Sequence, residues 1–138
     1  MEDEHQHYIG KIAQKAVIEN NGKILVCRGL KDEIWEFPGG RLHNDEIPQK
    51  GLAREILEEL GISVSVDNPL HVCRSLFVRD NSYRILIAYR CSVLNGGEAR
   101  IDETELEELR WVSREELATL AMFDDCREVA DAFLKQAI

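Results

Sequence analysis

Three glutamates, Glu55, Glu58 and Glu59, stand three and four residues apart in a stretch with helical apolar periodicity, which brings their carboxylates to one helix face. Leu52, Ile56 and Leu60 occupy a separate stripe suited to a core. Like charges at these spacings destabilise a helix by about 0.2–0.5 kcal/mol per pair, and Arg54 supplies a single compensating cation. Bound divalent cations would offset the rest. Hard oxygen donors suit magnesium, with manganese as the alternative, ions that also grip substrate phosphates. The bland reading is a solvated acidic helix face, and composition alone favours it. The surrounding residues decide between the two.

The elements that must position these acids are legible in outline. Ile12 to Ile18 and Lys23 to Arg28 are two apolar segments separated by Asn20-Asn21-Gly22, which predicts a β-hairpin because Asn-Gly tolerates positive φ. The short run IWEFPGG stops abruptly at Pro38, Gly39 and Gly40. Pro48 fits a first helical turn, the periodicity continues to Leu60, and Gly61 suits a C-terminal cap. Strands are expected over Ile62 to Val66, Leu70 to Val78 and Arg84 to Val93, the last two joined by Asp80-Asn81-Ser82, and a further one over Leu109 to Val112. Ser113-Arg-Glu-Glu116 is a capping box, and Asp124 to Ala137 is amphipathic. Strands mixed with helices place the chain in the α/β or α+β class.

With 138 residues, 44% of them hydrophobic and 31% charged, the chain suits one domain spanning 1–138. No apolar run reaches the roughly 18 residues of a membrane span, and the acidic start lacks a secretory pattern, so a cytoplasmic protein is expected. His5 and His7 near that start read as part of a frayed terminus. Cys27, Cys73, Cys91 and Cys126 are scattered singly, without a Cys-x-x-Cys pair, and read as reduced thiols. A net charge of −9 argues against binding a nucleic-acid duplex. It does not exclude a small anion, because bound cations can invert the local field.

Gly40 is followed after five residues by Glu46, and after seven more by Arg54-Glu55-Ile56-Leu57-Glu58-Glu59-Leu60-Gly61-Ile62. This run, GRLHNDEIPQKGLAREILEELGI, resembles the 23-residue Nudix box at all nine specified positions. WEFPGG, just before it, is similar to the strand that enters the box in MutT-like members.

The resemblance implies an α/β/α sandwich with a mixed β-sheet, in which the box forms a loop, helix and loop around metal. By similarity Glu55, Glu58 and Glu59 would ligate magnesium, one of them or a more distal acid would act as general base with Glu55 the favoured candidate, and Arg54 would pair with and orient a neighbouring glutamate. Glu46 would belong with them. Glu105, six residues before Trp111, is the acid of the later loop that looks best placed as a further ligand. Gly39 and Gly40 would let the backbone approach ligand or metal. Arg28, Arg79 and Arg84 are candidates for substrate contact, and Phe37, Phe77 and Tyr83 for stacking, although aromatic residues in strands are usually core.

Substrate classes leave marks beyond the box. No proline follows Pro69, so the ADP-ribose hydrolase signature is missing; the tyrosine of dinucleoside polyphosphate hydrolases is replaced by Arg79 and Asp80. The asparagine of oxidised-purine hydrolases is absent from FDDCRE, where Asp124 or Asp125 would read a base instead. The expectation is a nucleoside triphosphate pyrophosphohydrolase, giving NMP and pyrophosphate, in a chain of a family whose members often form homodimers. The alternative is a non-catalytic Nudix-fold nucleotide-binding or sensor module.

Overall fold

The computed structural model describes residues 6–29, 33–77, 80–94 and 106–136. The central strand β1 (Ile12–Asn20) turns through Asn21 and Gly22, both at positive φ, into β2 (Lys23–Gly29), forming the expected hairpin. β1 then shares its edge. Its far end pairs with β2, while Ala13, Gln14 and Lys15 pair antiparallel with β3 (Gly39–Arg41). Helix α1 (Pro48–Leu60) follows, and then β4 (Val64–Phe77) and β5 (Ser82–Val93), an antiparallel pair whose second member lies parallel to β1. β6 (Leu106–Val112) pairs antiparallel with β2, and α2 (Arg114–Thr119) and α3 (Asp124–Lys135) complete the chain. The strand order is β4-β5-β1-β2-β6, with β3 beside β1.

Strand alternation divides the apolar side chains between two layers. Ala13, Val17, Ile24 and Val26 face α2 and α3, burying Leu117, Val129 and Phe133. Ala16, Ile18 and Leu25 face the other way, against Leu52, Ile56 and Leu60 of α1. This is the expected α/β/α sandwich with a mixed sheet.

β3 forms where the sequence reading places only a stop, and β6 begins before the expected Leu109. Residues 64–77 form a single strand where two segments are expected, and Ile62 lies outside it. The register shifts on either side of Pro69, and β4 is an edge of the described sheet, where a missing N–H leaves no partner wanting. The capping box is formed, with Ser113 Oγ accepting from Glu116 N and the Glu116 carboxylate accepting from Ser113 N. No described helix is long and apolar enough to cross a membrane.

Candidate active site

Pro48 opens α1 and Gly61 closes it in the left-handed conformation, donating its N–H to the Leu57 carbonyl. Burial of Leu52, Ile56 and Leu60 fixes the helix rotation. Glu55 and Glu59 consequently face a cavity, whereas Glu58 stays 61% exposed on the flank. Glu58 and Glu59 also sit in the last turn with no basic residue beside them in that turn, at the negative end of the helix dipole. Each such placement costs roughly 0.3–1 kcal/mol at a surface. Local rules broken in this way are expected at functional sites.

Arg54 ties the acids together. Its Nε and Nη2 donate to the two carboxylate oxygens of Glu46 at 2.7 and 3.1 Å, a bidentate grip. Nη1 donates to Glu58 at 3.0 Å, and Nη2 also reaches Glu55 at 3.4 Å. Glu46 further accepts from the His43 N–H, and Arg54 above all holds its carboxyl below the usual range. Glu46 lies against the start of the helix at Gly51, where a Cβ would stand 2.9 Å from its Oε1.

The two glycines before the box serve different neighbours. A Cβ on Gly39 would fall 1.9 Å from the Gln14 carbonyl oxygen, so the β1–β3 approach requires glycine there. On Gly40 it would fall 2.7 Å from Cδ of Glu55. The Glu55 carboxylate therefore rests against bare backbone.

Two cavities, of about 620 and 920 Å³, adjoin at Lys15, Phe77 and Arg84. The first receives Glu55, Glu59 and Gly40 and is otherwise cationic, with Lys11, Lys15, Arg41 and Arg84 on its walls. Lys15 and Arg84 are paired with Glu36 at 2.6 Å and with Asp125 at 4.0 Å, and the four cationic groups together line the wall with donors suited to an anion. Lys15 is only 9% exposed and donates to Glu36 at 2.6 Å. Burial opposes its charge, but the Glu36 carboxylate outweighs that, and Lys15 holds its proton above the ordinary lysine range. Arg84 lies over Phe77, and its buried Nε has no partner among the described residues. The second cavity is more apolar, with Ile34, Tyr83, Met122 and Phe123, and has Ser75 and Asp125 at one side. Ser75 Oγ donates to Asp125 at 2.5 Å, and Asp125 also accepts from the Cys126 N–H.

The NUDIX domain model matches residues 11–133, which include both cavities and α1. The chain belongs to the Nudix family of hydrolases. A MutT-like protein of Streptomyces ambofaciens is 34% identical over 104 residues, 74% of this chain and 62% of that one. A putative 8-oxo-dGTP diphosphatase of Bacillus subtilis is 27% identical over 115 residues, 83% of this chain and 74% of that one. The solution structure of the E. coli ORF135 protein superposes with a TM-score of 0.73 at 28% identity, over 91% of this chain and 89% of that one. The matched segment thus spans less than two thirds of the Streptomyces relative.

Nudix hydrolases generally use divalent metal ions, and the residues here fit one. The Glu55 carboxylate can lie at the cavity wall because Gly40 lacks a Cβ, and the donors that it and Glu59 offer there are hard oxygens. Of the residues expected in the Nudix site, Glu55, Glu59 and Gly40 meet at the first cavity and Asp125 lines the second. Glu58 is engaged by Arg54 instead of lining either cavity, and Gly39 serves strand packing. Arg28 lines neither of these cavities, donating to Glu108 at 3.2 Å and lying over Trp35. Glu105 and Arg79 fall outside the described residues. Among the aromatic candidates Phe37 is core, whereas Phe77 and Tyr83 line the second cavity. Lys15, Lys11, Arg41 and Ser75 were not singled out by the sequence. Lys15 left one signal there, a charge inside the apolar run IAQKAVIEN.

Proposed function

We propose that this chain is a divalent-metal-dependent pyrophosphohydrolase of nucleoside triphosphates, releasing a nucleoside monophosphate and pyrophosphate. One observation carries the reading: the box carboxylates Glu55 and Glu59 share a cavity with Lys11, Lys15, Arg41 and Arg84, and that cavity opens into a more apolar one ending at Asp125. Phosphates fit the first space and a base the second, with Phe77 and Arg84 at the junction. The diphosphatase name of the Bacillus relative supports the same substrate class.

Glu55 and Glu59 would hold the cation, magnesium being the expected ion. Bound there, a divalent cation supplies neutralisation of the diphosphate and a water of lowered pKa. Glu55 takes the proton from the attacking water as general base. Arg54, gripping Glu46 and reaching Glu55, fixes the orientation of these carboxylates. Lys15 and Arg84 hold the phosphate chain in line, and Phe77 excludes water from one side. Asp125, braced by Ser75, accepts a hydrogen bond from a base amino group.

The test is a panel of nucleoside di- and triphosphates and nucleotide sugars, with products identified as phosphate or pyrophosphate. Pyrophosphate from triphosphates is the expected result. Phosphate release, or turnover confined to nucleotide sugars, would overturn the substrate class. Asp125→Ala should change the ranking of bases by about tenfold, since one base contact is worth roughly 1–3 kcal/mol. An unchanged ranking would remove Asp125 as reader.

A further inference from the structure

A second group of metal-ligating side chains lies across the sheet from α1, with Glu128 at the wall of the second cavity. β4 alternates its side chains, so His71, Cys73 and Ser75 share one face and meet α3, where Glu128 and Asp125 stand three residues apart. His71 Nε2 lies 2.5 Å from Glu128 Oε2, and Cys73 projects toward α3 from the same strand face. One ligand atom from each of His71, Cys73 and Glu128 lies within 4.8 Å of the other two. We propose that these three residues form a binding site for a borderline transition-metal cation, Zn2+ by preference, distinct from the magnesium-type site at Glu55 and Glu59.

The donor set selects the ion. Imidazole and thiolate favour zinc over magnesium, and a carboxylate completes a three-ligand set that leaves one position for water. Zinc bonds of roughly 2.0–2.3 Å put tetrahedral ligand atoms about 3.3–3.8 Å apart, so small side-chain rotations suffice from the observed spacing. The backbones are held for it: His71 and Cys73 pair with Ala88 and Leu86 of β5, and Val129 and Phe133 bury α3 in the core. Glu128 is exposed, which provides an entry path. Asp125, occupied by Ser75, adds negative charge nearby without being a ligand. Uptake releases the Cys73 proton to solvent and leaves the proton of His71 on Nδ1, so the bound site is Zn2+ with one thiolate and one carboxylate. The other three thiols, Cys27, Cys91 and Cys126, are buried.

Cobalt titration of the full, reduced chain tests this, because a cobalt–thiolate bond gives a charge-transfer absorption that oxygen ligands do not. One equivalent should produce the band in the wild type and in Glu55→Gln. Cys73→Ser should abolish it, and His71→Ala should weaken cobalt binding at least tenfold. Circular dichroism checks the folding of each variant; should Cys73→Ser misfold, His71→Ala, which keeps the thiol, carries the test. Absence of the band in wild type, its survival in folded Cys73→Ser, or wild-type affinity in His71→Ala would overturn the proposal.

Discussion

The carboxylate of Glu55 occupies the space that a side chain on residue 40 would need: a Cβ on Gly40 would stand 2.7 Å from its Cδ and 2.9 Å from its Oε2. Backbone and the carboxylate proposed as general base are therefore fitted to each other across the start and the middle of the box. Gly40→Ala should push the carboxylate aside. A displacement near 1 Å at a reacting group costs about a hundredfold in rate. We expect kcat to fall by that order with thermal stability nearly unchanged, as kinetics and a melting curve on the same preparation would show.

Arg54 is expected to act through geometry as well as charge, since its grip on Glu46 is bidentate. Arg54→Lys keeps the charge and loses the fork. The prediction is a weakening of metal activation by roughly 10–100-fold. A magnesium titration of activity checks it, and the metal concentration for half activity should move far more than KM for the nucleotide.

Lys15 and Glu36 form a largely buried pair, with side chains 11% and 27% exposed. Glu36→Gln leaves the lysine charge without its partner. Breaking a fully buried pair costs about 3–5 kcal/mol, and the partial exposure of Glu36 lowers the expectation to about 2–3 kcal/mol. The double variant Lys15→Met/Glu36→Leu should recover much of that stability while losing phosphate binding. Urea unfolding separates the two outcomes.

Alkaline pH should destabilise the fold through groups that keep their protons when folded. Burial pushes the Cys27 and Cys126 thiols up to about 12 from an ordinary 9.0. Glu36 holds Lys15 above its ordinary value, against the effect of burial. A raised folded pKa contributes stability that is complete below the unfolded pKa and lost as pH rises toward the folded one. Glu46, held low by Arg54, acts in the opposite sense, its contribution disappearing as pH falls below the ordinary carboxylate range. Urea midpoints should thus be level near about pH 7 and fall by about pH 10, with a smaller alkaline fall in Cys27→Ala.

Local chemistry is what the sequence displayed well. The hairpin at Asn21-Gly22, the proline and glycine ends of α1 and the Ser113–Glu116 box each depend on residues close in sequence, and all three form as expected. The helix that carries Glu55, Glu58 and Glu59 was likewise visible, being fixed by its apolar period and its end residues. Glu58 shares the spacing of Glu55 and Glu59, and the sequence does not display that Arg54 donates to it. Pro69 divided β4 into two expected segments, since whether a strand lies at a sheet edge is not a local property. Lys15 with Glu36, Ser75 with Asp125 and His71 with Glu128 all arise from contacts between distant segments. Only the folded sheet brings such pairs together.

In the proposed reaction Glu55 and Glu59 hold a divalent cation that the hydrolysis requires. The most direct test is pyrophosphate release from nucleoside triphosphates by wild type, Glu55→Gln and Glu59→Gln, each in magnesium and in EDTA. Wild-type release that EDTA abolishes and magnesium restores is expected, with a loss of at least a hundredfold in Glu55→Gln. Nucleotide binding without turnover in the wild type, or turnover that survives both EDTA and Glu55→Gln, would contradict this role.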